Sequence, residues 1–77
     1  MEKSAVLKAL AIVSTLFRME EIDTNKKNKM LSCIMENDDA GLNKELHRVR
    51  EFSSCRNLID EYLEGNKQKG GNNYAEN

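Results

Sequence analysis

The sequence predicts an all-α fold: a small single-domain bundle of four to five short helices at residues 1–65, followed by a disordered polar tail at 66–77. Three observations support this. Apolar residues recur at spacings of three and four, and nothing alternates with period two. The chain has no proline and no asparagine-glycine hairpin turn. Clusters of Asp, Asn, Thr and Ser break the pattern at regular intervals, where helix caps are expected.

The first helix starts near Ser4, read as its cap, and runs to about Glu21, with Ile22 as the last buried residue. Eleven of the fifteen residues from Ala5 to Met19 are apolar. Val6, Leu10, Val13 and Phe17 form one stripe. Ala5, Ala9, Ile12, Leu16 and Met19 form a second beside it. A helix apolar over so much of its circumference needs cover on two sides. In a chain of 77 residues, the second side asks for another molecule. Asp23, Thr24 and Asn25 then make a turn that caps a second helix, about Lys26 to Glu36, whose inward side is Met30, Leu31, Cys33 and Ile34.

Asn37, Asp38, Asp39 and Gly41 form the next break, with Asp39 as cap. The third helix carries Leu42, Leu46 and Val49, and Phe52 closes its stripe. Ser53 and Ser54 cap a fourth helix bearing Cys55, Leu58, Ile59, Tyr62 and Leu63. Gly65 stands where a helix end favours positive φ. From Asn66 onward the chain has almost nothing to bury.

Composition limits function. A domain this small is marginally stable, since such scaffolds rarely gain more than about 3–5 kcal/mol without a disulfide, metal or partner. The net charge of −1 argues against a protein whose main task is gripping phosphate backbones. Cys33 and Cys55 read as reduced, buried thiols of a cytosolic protein. Lys8 interrupts the first apolar run, and the charge-free stretch from Ala9 to Phe17 is far below the roughly 20 residues that span a bilayer. No targeting segment and no membrane partner are expected.

Sites of chemistry are sparse. Cys33, His47 and Cys55 lack the paired spacing of a zinc site, and His47 reads as solvent-facing. Asp23 and Asn25 begin like a calcium loop, but Asn28 and Ile34 occupy positions that need glycine and glutamate. Asp60 and Glu61 read as a solvated helix face. No cofactor and no enzymatic activity are expected. Lys26, Lys27 and Lys29 oppose the dipole of the second helix and hint at an acidic neighbour, with a solvated turn as the plainer reading.

Residues 42–59 have the outline of a helix-turn-helix. Against that reading, His47 stands where a small residue is usual and Glu51 replaces the turn glycine. Asp60, Glu61 and Glu64 outnumber Arg56 on the would-be reading helix. No specific contact with nucleic acid is expected. A DNA-binding regulator and a generic helical adaptor remain as alternatives.

Two stretches carry a family resemblance. Val6-Leu-Lys-Ala-Leu-Ala-Ile-Val-Ser-Thr-Leu-Phe-Arg-Met is followed by Glu20-Glu-Ile, and Leu58-Ile-Asp-Glu-Tyr-Leu-Glu-Gly lies downstream, with Leu42-Asn between them. In this order they resemble the AsiA family of anti-sigma proteins from T-even-like bacteriophages, over most of residues 5 to 65. The resemblance implies a small helical protein of the bacterial host's cytoplasm. It would bind region 4 of the host's primary sigma factor within RNA polymerase, hindering −35 promoter recognition and co-activating phage middle transcription. It also implies a homodimer through the first helix. Val6, Lys8, Ile12, Thr15, Leu16, Arg18 and Met19 align with the family's contact helix. Ile12, Leu16 and Met19 would be apolar anchors, and Leu16→Asp would then remove binding while leaving helicity intact. Arg18 would meet an acidic sigma residue. Lys8 stands where the family has an acid, and Thr15 where it has a larger apolar residue.

Overall fold

The computed structural model describes the backbone of residues 2–71 and the side chains of residues 2–65. Four helices follow one another: α1 (Lys3–Arg18), α2 (Thr24–Met35), α3 (Asp39–Arg50) and α4 (Arg56–Gly71). No strand occurs among the described residues. Each helix packs on its neighbours in sequence, and α4 returns to α1, so the contacts close into a ring. Leu16 of α1, Met30 of α2, Leu42 and Leu46 of α3 and Ile59 of α4 meet in the middle, all fully buried. Ala9, Ile12, Val13, Ile22, Cys33, Ile34, Val49 and Tyr62 complete this core, and Val6, Leu31, Cys55 and Leu63 pack on its edge.

The caps explain where the helices begin, and they amend the sequence reading. Glu2, not Ser4, precedes α1, and it makes no side-chain cap. Ser4 lies inside the first turn, where its hydroxyl donates to Glu2 Oε1 at 3.4 Å. Asp23 caps α2 as expected, accepting from the Lys26 amide at 2.8 Å. Asp38, not Asp39, caps α3, accepting from the Gly41 amide at 3.0 Å. Gly41 is therefore part of the first turn, and a Cβ there would come within 2.3 Å of Asp38 Oδ2. The missing side chain is what lets the cap close.

Two helices end in the same way. Glu20 and Asn37 take φ of 60° and 57°. After α1, the Glu20 and Glu21 amides donate to Phe17 and Leu16 carbonyls. After α2, those of Asn37 and Asp38 donate to Ile34 and Cys33. Both are Schellman endings, in which a left-handed residue satisfies otherwise orphaned carbonyls. Asn tolerates this conformation well, whereas Glu does not. The Gly65 ending expected from the sequence is not made: α4 continues to Gly71, and no glycine among the described residues has positive φ. Residues 72–77 of the expected tail lie outside the described residues. Phe52 does not close the α3 stripe either. It sits in the turn past α3, 66% exposed, because the helix ends before its side chain can face inward.

Polar ties link the elements across the ring. Glu21, just past α1, accepts from Ser53 Oγ at 2.5 Å, Ser54 Oγ at 2.6 Å and the Ser54 amide at 2.9 Å. Ser53 Oγ also accepts from the Cys55 amide at 2.8 Å, shaping the entry to α4. The hydroxyls of Ser53 and then Ser54 hold the Glu21 carboxyl below its ordinary range. On α3, Arg50 grips Asp60 of α4 through Nε and through Nη2, the latter at 3.3 Å.

The lysine cluster of α2 finds its acid inside the molecule. Glu45 of α3, only 2% exposed, meets Lys26 Nζ at 3.2 Å, Lys29 Nζ at 3.0 Å and Arg48 Nη1 at 3.7 Å. The hydrogen bond from Lys29 is the main reason its carboxyl lies below the usual value, outweighing the opposing effect of burial.

Two tests follow from these geometries. Glu20→Gly removes a Cβ from a left-handed position and is expected to raise stability by up to ~1 kcal/mol, read from the urea midpoint. The depressed Glu45 carboxyl contributes stability that is present above the unfolded-state value near 4.5. That contribution is lost as pH falls through the lower folded value. Urea unfolding from pH 7 to pH 3 is expected to show a smaller acid loss in Glu45→Gln than in the wild type. Identical acid losses would place the sensitivity elsewhere.

Candidate docking face on helix α1

The buried side of α1 takes residues from both predicted stripes. Ala9, Ile12, Val13 and Leu16 face the core, flanked by half-buried Ala5 and Val6. This corrects the division made from the sequence. Leu16, expected as an exposed anchor, is 0% exposed, and Ile12 is buried at its side. Leu10 and Phe17, members of the first stripe, lie at the surface. The reason is the ring: α2 and α4 both pack on α1, and the direction between them selects the inward residues.

Two exposed flanks remain. On one flank stand Leu7, 60% exposed, with Leu10 and Phe17. Lys27 of α2 lies over the Phe17 ring, 4.3 Å from its centroid, and partly shields it. On the other flank, bordering α4, Lys8, Thr15, Arg18 and Met19 of the predicted set are spread along the length of the helix. Thr15 Oγ1 donates to the Ala11 carbonyl at 2.8 Å and accepts from Arg18 at 3.4 Å. The i−4 hydroxyl bond leaves its methyl group for packing. Met19 is 50% exposed. Its thioether lies 3.4 Å from the Cys55 thiol.

Between α1 and α4 runs a groove of about 290 Å³, lined by Lys8, Ala11, Ile12, Leu58, Glu61 and Tyr62. Ala11, Ile12 and Leu58 supply its apolar lining; Lys8 and Glu61 supply opposite charges from the two helices. A more polar hollow shares Lys8, Glu61 and Tyr62 and reaches Glu2 and Ser4. The sequence reading missed Leu58 as a surface residue, because its spacing placed it with Ile59 and Tyr62. It also passed over Ala11, whose small side chain opens the groove.

The remaining candidates for chemistry are dispersed. His47 is exposed. Cys33 is buried and Cys55 half-buried, both unpaired. Burial, ahead of the Asp38 and Glu45 carboxylates, pushes the Cys33 thiol above its ordinary range, which suits a packing role. Asp60, expected on a solvated face, is paired with Arg50; that hydrogen bond is the main reason its carboxyl lies below the usual range. No group of three His, Cys, Asp or Glu among the described residues is arranged to hold a metal ion. No helix there is long and apolar enough to cross a membrane.

Comparison with models of known protein families, with curated proteins and with solved structures finds no match to the chain.

The two flanks and the core make separate demands on substitution. Leu16→Asp buries a charge at the meeting point of four helices and is expected to unfold the domain. Leu10→Asp, on the exposed flank, is expected to keep the helical circular dichroism. A folded Leu16→Asp protein would refute this placement of the α1 face.

Proposed function

We propose that this chain is a non-catalytic anti-sigma factor. It grips region 4 of a bacterial host's primary sigma factor through the flank of α1 that borders α4. The observation that carries this reading is the apolar groove between α1 and α4, alongside Lys8, Thr15, Arg18 and Met19. It lies on the helix whose sequence resembles the family's contact helix. The anchors on this reading are Met19, Ala11 and Leu58, with Ile12 reached only at the groove wall. Leu16 and Val6 support the helix from within.

The mechanism is occlusion. An apolar segment of sigma buried in the groove is no longer free to present the −35 reading surface. Apolar burial at about 25 cal/mol per Å² supplies the attraction, and the entropy of association absorbs much of it. Arg18, exposed at the end of α1, is placed to meet an acidic residue of the partner, and Lys8 a second. The same flank serves a homodimer when sigma is absent, so dimer and complex exclude each other. Location in the host cytoplasm and co-activation of phage middle promoters follow from the partner. Sequence-specific reading of DNA by α4 is disfavoured by its exposed Glu61 and Glu64.

Calorimetric titration of purified sigma region 4 tests the proposal. Met19→Asp and Leu58→Asp are each expected to weaken binding at least tenfold, about 1.4 kcal/mol, with circular dichroism unchanged. Absence of wild-type binding at micromolar concentration would overturn it, as would full affinity in both variants.

A further inference from the structure

A second feature lies where α1 ends and α4 begins. The Met19 thioether and the Cys55 thiol stand 3.4 Å apart. Thirty-six residues separate them along the chain, so the fold joins them and local sequence does not. Neighbouring groups hold the pair in place. Glu21 accepts from Ser53 Oγ, Ser54 Oγ and the Ser54 amide, and Ser53 Oγ accepts from the Cys55 amide. These bonds pin the turn that carries Cys55 to the end of α1 before any ligand arrives. Met19 is 50% exposed and Cys55 half-buried, so an ion in solution reaches both sulfurs. Other sulfur side chains are elsewhere: Met30 and Cys33 belong to the core on α2, and Met35 is the last residue of that helix.

We infer that Met19 and Cys55 form a two-coordinate site for the cuprous ion. Soft thiolate and thioether ligands select Cu(I). Zinc asks for four ligands, and no trio of His, Cys, Asp or Glu surrounds the pair among the described residues. The hard oxygens nearby, of Glu21, Ser53 and Ser54, are engaged with one another, which leaves the two sulfurs as donors. In the metal-free protein the thiol donates to the thioether. Cu(I) takes the place of that proton. The S–H bond breaks, the proton passes to solvent, and copper bonds to the thiolate and the thioether with no change of oxidation state. Cation and thiolate cancel, which suits a half-buried place. At roughly 2.3 Å per metal–sulfur bond, a linear arrangement sets the sulfurs about 4.6 Å apart. That is about 1.2 Å wider than the present 3.4 Å. Met19, exposed and unbranched with three rotatable bonds, can supply this movement. The inference stands independently of sigma binding.

The test is an anaerobic titration of the reduced full chain with Cu(I), in competition with the chelator bathocuproine disulfonate. One copper per chain is expected, with thiolate-to-copper absorption in the ultraviolet. X-ray absorption of the chelator-free complex is expected to show only sulfur neighbours, at roughly 2.3 Å. Cys55→Ser is expected to abolish the ultraviolet band, and Cys33→Ala, folded by circular dichroism, to leave it unchanged. Met19→Leu conserves volume at an exposed position and is expected to keep the fold. It should nonetheless weaken Cu(I) binding at least tenfold. Wild-type affinity in Met19→Leu would reduce Cys55 to an ordinary surface thiol and overturn the inference. One copper shared by two chains, nitrogen or oxygen neighbours, or loss of binding in folded Cys33→Ala would overturn it as well.

Discussion

The junction of Leu16, Met30, Leu42, Leu46 and Ile59 is the constraint on which the rest of the molecule depends. Every helix contributes to it, and all five side chains are withdrawn from solvent. In a ring where each helix backbone packs on its two neighbours, this junction of side chains couples all four. Truncating a leucine in such a site costs roughly 2–5 kcal/mol, comparable to the whole stability of a domain this small. Because Leu16 and Ile12 are committed inward, α1 cannot roll. Its two exposed flanks, one with Leu7, Leu10 and Phe17 and the other with Met19 beside the α4 groove, are therefore fixed in direction.

The polar ties do a different task. Arg50 with Asp60 and Glu21 with Ser53 and Ser54 lie toward the surface, where water screens them, so they set register more than they add stability. Glu45 is another matter. A carboxylate this deep is tolerable only with its cations in place, and removing the cations is worse than removing the acid. Glu45 thus fixes α2 against α3, and it also fixes the positions of the lysines around it.

The sequence displayed the helices and their breaks clearly. Asp23 and the run from Asn37 to Gly41 are chemically suited to little else. Cap assignment was off by one where two carboxylates adjoin, because either Asp38 or Asp39 satisfies the pattern. The inward face of α1 was illegible for a physical reason: a helix apolar on adjoining stripes has no single preferred side, and only its packing partners choose one. Glu45 was hidden because an acid reads as surface. Its place between Leu42 and Val49, at spacings of three and four, was the available signal. The α1–α4 groove was hidden for a related reason, since its lining joins residues far apart in the chain.

The order of contacts around the ring has a kinetic consequence. Three of its four helix pairings, α1 on α2, α2 on α3 and α3 on α4, join segments adjacent along the chain. Such contacts require only short loops to close, and loop closure is the main entropic obstacle to their formation. The pairing of α1 with α4 alone spans most of the chain, so the entropy of ordering distant segments is concentrated in that single step. A chain so arranged belongs with helical bundles that reach their native state in about microseconds to milliseconds. Once α4 has been synthesised, little time is left for the oily first helix to meet the wrong neighbour.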